Sequence, residues 1–165
     1  MLLAWALAAA SVLWMVLLTL TAAGSSGVPA VIGDSVFRLS SFICHQQPER
    51  SYHWGAAAWP VCARCLGLYA AAPVGAFLAI ALGRPHDIPA PSRNFWLLCS
   101  AGMPTAATWL AEHLAGVSMT NDVRFAAALP LGAAVAWLAV RVVSATARPR
   151  VSQYTLQDAR RGQAR

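Results

Sequence analysis

The sequence predicts an all-α membrane protein: a four-transmembrane-helix bundle with a short interfacial amphipathic helix. Three observations carry this reading. Of 165 residues, 58% are apolar and 11% are charged, with a mean hydropathy of +0.55; soluble domains carry about 25% charged and 45–50% apolar residues. The apolar residues are gathered into four runs of near-bilayer length, and the charges other than Arg141 fall between those runs or after the last. One aqueous core of this size cannot bury so much apolar surface, which excludes a soluble enzyme, a disordered chain and a disulfide-stapled mini-domain.

A bilayer-spanning helix needs about 20 apolar residues, with a range of 17–25. Residues 2–23 carry no charge and are rich in Leu and Ala, with Trp5 and Trp14. They lack a basic n-region, and their apolar run exceeds the 7–15 residues of a signal-peptide core, so they read as a retained span. Residues 28–43 are different. Val28, Ile32, Val36, Leu39 and Ile43 recur at spacings of three and four, with Asp34, Arg38 and Ser41 between them. That is the interfacial amphipathic helix, too polar to span. The second span is 65–83, from the 19 uncharged residues between Arg64 and Arg84. The third is 94–111, from the 18 between Arg93 and Glu112, with a kink expected at Pro104. The fourth is 125–143; only 16 uncharged residues separate Arg124 from Arg141, but Val142 and Val143 lengthen the run and terminal Arg side chains can snorkel. Residues 1–147 thus form one transmembrane domain, and 148–165 an Arg-rich tail expected to be disordered.

Small residues mark where the helices meet. Gly67, Ala71, Gly75, Ala79 and Gly83 recur every fourth position in the second span, and Ala128, Gly132 and Ala136 repeat the device in the fourth. Such stripes let helix backbones approach closely in lipid.

All 12 basic residues are Arg. From Arg141 onward lie Arg141, Arg148, Arg150, Arg160, Arg161 and Arg165 against Asp158, so the positive-inside rule places the C-terminus, and with four spans the N-terminus, in the cytoplasm of a multi-pass cell-membrane protein. Loop 83–94, with Arg84 and Arg93, agrees. The segment 24–65 then lies outside, although it holds Arg38, Arg50 and Arg64. The lipid bilayer is the expected partner. No nucleic-acid partner is expected, because the basic tail has no aromatic interleaving beyond Tyr154 and no binding-module motif. Hydrolase and nucleotide-binding readings find no Gly-rich phosphate loop, nucleophile elbow or H-E-x-x-H.

Chemistry concentrates in residues 44–65, C-H-Q-Q-P-E-R-S-Y-H-W-G-A-A-A-W-P-V-C-A-R-C, which hold three of the four cysteines and two of the four histidines. Cys99 reads as an apolar filler of the third span. Paired Cys/His ligands a dozen or more residues apart suit a tetrahedral zinc site. The candidate metal ligands are Cys44, His45, Cys62 and Cys65, with His53 as another source of imidazole. Adjacent Cys44 and His45 cannot readily both turn onto one ion, so the spacing leaves the fourth ligand open. A C-x-x-C at a helix N-terminus also suits redox chemistry, its thiolate favoured by the helix dipole and by Arg64. In that case Cys62 and Cys65 would be the catalytic pair. An extracytoplasmic location favours disulfides, so a structural disulfide from Cys62 to Cys44 or Cys65 is a third reading.

Around this loop, Glu49, Arg50 and Arg64 are the candidate second layer, with Pro48–Ser51 as a turn. Tyr52, Trp54 and Trp59 read as an interfacial aromatic belt, and Gln46 and Gln47 carry no signal. Glu112, His113, Asn121, Asp122 and Arg124 fall on the same membrane face as the loop. Capping by Asn121 or Asp122 is the simplest account of the start of the fourth span.

The run Cys44-His45-Gln46, Pro48-Glu49-Arg50-Ser51, then Pro60-Val61-Cys62-Ala63-Arg64-Cys65 with Gly67 and Tyr69 resembles a prokaryotic membrane family, the domain-of-unknown-function family 2085. Thr120-Asn121, Arg124 and Gly132 are similar to its Ser/Thr-Asn…Arg…Gly pattern. The likeness covers roughly residues 40–140 and implies a membrane protein with a Cys/His motif, without an activity to carry over. The family pattern has an acid near the middle of the third span. Thr108 occupies that region here, and the nearest acid is Glu112.

The leading functional expectation is therefore a zinc-binding membrane protein. The alternative is a membrane thiol–disulfide oxidoreductase, which in architecture resembles the quinone-linked disulfide-forming and vitamin-K-epoxide-reductase groups but lacks their second cysteine pair. A packing or assembly protein is the third.

Overall fold

The structure is a computed structural model that describes residues 2–24, 29–55, 57–82 and 91–146. Helix α1 runs over Leu2–Ala22, α2 over Ala30–Ser41, α3 over Ala63–Leu82, α4 over Pro91–Leu114 and α5 over Asn121–Thr146. Between α2 and α3 the chain makes a 3-10 turn at Pro48–Arg50 and a hairpin of β1 (Ser51–Trp54) and β2 (Ala57–Cys62). The hairpin corrects the all-α expectation: the segment read as a loop is a two-stranded antiparallel sheet. The tail 148–165, Gly83 and Arg84 lie outside the described residues.

Helices α1, α3 and α5 are long and apolar enough to cross a membrane. At 1.5 Å per residue each reaches about the 30 Å of a hydrocarbon core. The fourth helix is long enough, but Ser92, Arg93, Asn94 and Glu112 dilute its apolar character. Helices α4 and α5 also run past the expected span ends and take in Arg93, Glu112, Asp122 and Arg124, and α5 continues through Arg141. A charge does not end a helix when its side chain finds a partner. Arg141 lies over the Trp137 ring, 5.8 Å from its centroid, and Glu112 and Arg124 pair with each other.

The bundle alternates in direction. Ala4 and Ala8 of α1 pack with Ala76 and Ala79 of α3 and Val140 of α5 at one end. At the other end Leu18 joins Val36, Cys44, Val61 and Leu66. The start of α1 and the end of α5 therefore share one end of the bundle, and the cysteine-bearing segment caps the opposite end.

The small-residue stripes do what their spacing predicts. Helix α3 packs most extensively on α5. A Cβ added at Gly67 would collide with the Phe125 carbonyl oxygen, one at Gly75 with that of Ala133, and one at Gly132 with that of Leu68. The two backbones touch, and only glycine fits at those three contacts. Helix α4 joins through Thr105, whose hydroxyl donates to the Ala127 carbonyl at 2.8 Å, a cross-helix bond worth about 0.6 kcal/mol in lipid. No residue of α4 is buried as a whole, although the Glu112 side chain is 5% exposed, and Cys99, expected as a filler, is exposed on it.

Helix α2 buries Val36 and Ser40 and leaves Ile32, Phe37 and Leu39 exposed, as is Ile43 just beyond its end. That pattern agrees with an amphipathic helix lying against the end of the bundle.

Candidate metal centre

Three separate elements deliver the three cysteines. Cys44 follows α2, where its backbone N–H donates to the Ser40 carbonyl at 2.9 Å. Cys62 ends β2, opposite Ser51 of β1, and Cys65 lies in the first turn of α3. The hairpin closes between Trp54 and Ala57, where Gly55 has φ +62° at the first of two loop positions. Short hairpin turns require that sign of φ there, and glycine adopts it without steric cost. An irregularity between Ser51 and His53 then adjusts the register at the Cys62 end.

The result is one cluster. The sulfurs of Cys44, Cys62 and Cys65 all lie within 4.8 Å of one another. Zinc–sulfur bonds of about 2.3 Å in a tetrahedron place their sulfurs roughly 3.8 Å apart, so small side-chain rotations would seat an ion. All four cysteines are free thiols.

The cluster favours thiolate at Cys44. Its Sγ accepts the backbone N–H of Cys62 at 3.1 Å and of Gln46 at 3.5 Å. The side chains of Cys62 and then Cys65, with those two amides, hold the Cys44 thiol far below the ordinary thiol range, against the opposing effect of burial. Amides directed at a sulfur stabilise a metal-bound thiolate in the same way.

Gln46, silent in the sequence, holds this arrangement. It is the only non-glycine with positive φ among the described residues, at 48°, a conformation that needs support from its surroundings. Its Nε2 donates to the Phe37 carbonyl of α2 and the Pro60 carbonyl of β2, both at 2.8 Å. One amide therefore ties the helix carrying Cys44 to the strand carrying Cys62.

The other candidates divide. His45 is exposed; it borders the same cleft as the cysteines but lies outside the sulfur cluster, and His53, also exposed on β1, lies outside it as well. Arg64 sits between Cys62 and Cys65 in sequence, and its Nη2 donates to Glu112 at 2.8 Å and to Thr108 at 3.5 Å. Arg124 Nε donates to the other oxygen of Glu112 at 2.7 Å. One carboxylate, 5% exposed, thus bridges two guanidiniums. Glu112, read only as sharing a face with the loop, proves to join the loop's Arg64 to Arg124. Glu49 and Arg50 line a polar hollow of about 560 Å³ with Asn121 and Arg124. Arg50 and Arg124 also border a second cleft, of about 370 Å³, with Arg64 and the three cysteines.

Two smaller expectations change. Thr120, not Asn121 or Asp122, caps α5: its hydroxyl accepts the Val123 N–H at 3.3 Å. Asn121 instead donates to the Ser51 carbonyl and accepts from Arg124, and Asp122 accepts the Tyr52 hydroxyl at 2.7 Å. Tyr52 and Trp59 pack onto the cysteine-end core rather than forming a belt; Trp54 alone of the three is exposed. These contacts fix the hairpin to the start of α5.

Fold and site together define a helical protein with membrane-crossing helices and a three-cysteine cluster at one end of the bundle. The chain belongs to the family described as predicted membrane protein, domain of unknown function 2085, whose profile matches residues 44–138. It is 31% identical over 94 residues to an uncharacterised protein of Methanocaldococcus jannaschii, covering 57% of this chain and 59% of that one. It is 28% identical over 97 residues to an uncharacterised protein of Methanothermobacter thermautotrophicus, covering 59% and 84%. The match thus spans less than two thirds of the first relative. No solved structure matches.

Proposed function

We propose that this is a polytopic membrane protein that holds a metal ion, zinc by the softness of its donors, on Cys44, Cys62 and Cys65. The convergence of three sulfurs from three elements within 4.8 Å carries the reading. Thiolates select zinc over hard cations such as magnesium or calcium. Two backbone amides already directed at Cys44 lower the cost of assembling the site. Arg64 and Arg50 stand beside the sulfurs as counter-charge to thiolates, and Glu49 shares the neighbouring hollow with Arg50.

In this reading α4 is the fourth span. Its length suffices, Glu112 near its end is neutralised by two arginines, and its apolar side chains face outward. Both termini are then cytoplasmic and the cysteine end extracytoplasmic, in the cell membrane. Metal coordination would also keep the thiols from oxidising there.

Metal analysis of protein purified without chelator tests the proposal. One zinc per chain is expected, and Cys62→Ser should lose it. A metal-free wild type whose Cys62 and Cys65 interconvert between dithiol and disulfide would replace this reading with the quinone-linked oxidoreductase.

A further inference from the structure

Three protein sulfurs leave a tetrahedral ion one position short. Structural zinc sites close that position with a fourth side chain, whereas sites with three protein ligands keep it for an exchangeable one. Among the described residues no histidine or carboxylate joins the sulfurs: the group contains Cys44, Cys62 and Cys65 alone. Both oxygens of Glu112 are engaged by arginines.

The space beside the sulfurs is a cleft of about 370 Å³, large enough for a small ligand, and its walls are cationic. Arg50, Arg64 and Arg124 all border it, and no Asp or Glu does. Even when Glu112 behind the cleft and Glu49 of the adjoining hollow are counted, guanidiniums outnumber carboxylates three to two. Three thiolates on a divalent ion would add one net negative charge and balance that excess, so an oxyanion would be held by directed N–H donors rather than by net charge. Arg64 also retains a donor: its Nε is buried without a hydrogen-bond partner. A buried unpaired guanidinium N–H costs free energy until an acceptor reaches it. Guanidiniums bind planar or tetrahedral oxyanions through paired N–H donors.

We propose that this cleft takes a small oxyanion, of carboxylate or phosphate chemistry, that is held by Arg50, Arg64 and Arg124 and completes the coordination of the cysteine-bound metal. This rests on the metal reading above. The centre is then a ligand-responsive site at one membrane face, not only a staple for the hairpin.

Cobalt(II) tests it, because its visible spectrum reports both sulfur ligation and the fourth ligand. The full chain in zwitterionic nanodiscs is loaded with cobalt and titrated with acetate and, separately, with inorganic phosphate. A saturable spectral shift with at least one of the two is expected, and which one identifies the oxyanion class. Arg50 makes no contact with Glu112, so Arg50→Gln keeps the buried pairs; it should retain the sulfur-to-cobalt bands and weaken the anion about tenfold, equivalent to about 1.4 kcal/mol. Sulfur-to-cobalt bands with no response to either anion would overturn this inference and leave the metal reading standing, and a spectrum changed by His45→Ala would then assign the fourth position to that imidazole. An anion response that Arg50→Gln leaves unaltered would also overturn it. Absence of the sulfur-to-cobalt bands would remove the metal reading and this inference with it.

Discussion

Replacing Glu112 by glutamine tests the charge arrangement beneath the cysteine end. The carboxylate is 5% exposed and accepts from Arg64 at 2.8 Å and from Arg124 at 2.7 Å, whose side chains are 14% and 10% exposed. Glutamine keeps the shape and removes the charge, leaving two guanidiniums facing each other without a counter-ion. Hydrogen bonds to charged groups contribute about 1.5–3 kcal/mol each, so the two together come to about 3–6 kcal/mol. Removing one member of a buried ion pair costs about 3–5 kcal/mol, so the two routes agree. At roughly 2–4 °C per kcal/mol for a chain of this size, the midpoint should fall by about 10 °C. The assay is tryptophan fluorescence on heating in detergent, with a double-mutant cycle through Arg64→Gln. The cycle should give a coupling of about 1 kcal/mol or more, since the partners touch. A Glu112→Gln protein that melts with the wild type, or a cycle that is additive, would refute the bridge.

Other perturbations have equally definite outcomes. Gly75→Ala pushes a methyl into the Ala133 carbonyl of α5 and should destabilise the bundle by about 1–3 kcal/mol. Gly102→Ala, whose added carbon would meet only Leu131 Cδ1 at 3.7 Å, should melt as the wild type does; equal melting of the two variants would contradict the α3–α5 contact. Gln46→Ala removes the side chain that joins the Phe37 and Pro60 carbonyls, and zinc affinity by competition with a chelator should drop about 10–100-fold. Burial, then the Asp122 carboxylate, raises the Tyr52 phenol from 10.0 to about 12. A raised folded value means that the neutral phenol, kept so by its burial and then by the Asp122 bond, contributes stability that is present in full below pH 10 and is lost as pH climbs through 12. The difference in phenolate absorbance between wild type and Tyr52→Phe should therefore titrate near 12, and a midpoint near 10 would contradict the packing of Tyr52 against Asp122.

What could be read in the sequence follows from the range of each interaction. The helices α1, α3 and α5 were legible because an apolar run of bilayer length is a local property. The α3–α5 interface was legible because glycine at every second turn leaves a period that survives without knowledge of the partner. The cysteine cluster was legible as a spacing, and the stretch from Cys44 to Tyr69 as a family motif. The hairpin was not: Gly55 is a turn signal, but three alanines and Pro60 break the alternation that marks strands. Nor was the role of Glu112, which meets Arg64 across 48 residues and Arg124 across 12, since only the bundle sets those distances. Gln46 gave no signal beyond its place in the family motif because its side chain bonds two backbone carbonyls, which every residue has. The misplaced cap at Asn121 has a similar origin: Thr120, Asn121 and Asp122 are all good capping residues in a row, and the choice among them is made by Ser51, Tyr52 and Arg124.

The most direct measurement is X-ray absorption at the zinc edge on the purified full chain, prepared without chelator and with Cys44→Ser alongside. If Cys44, Cys62 and Cys65 form the centre, the wild type holds one zinc with three sulfur neighbours at about 2.3 Å and one lighter atom, and the variant loses a sulfur or the metal. A wild type that contains no metal, or whose zinc has no sulfur neighbours, would contradict it.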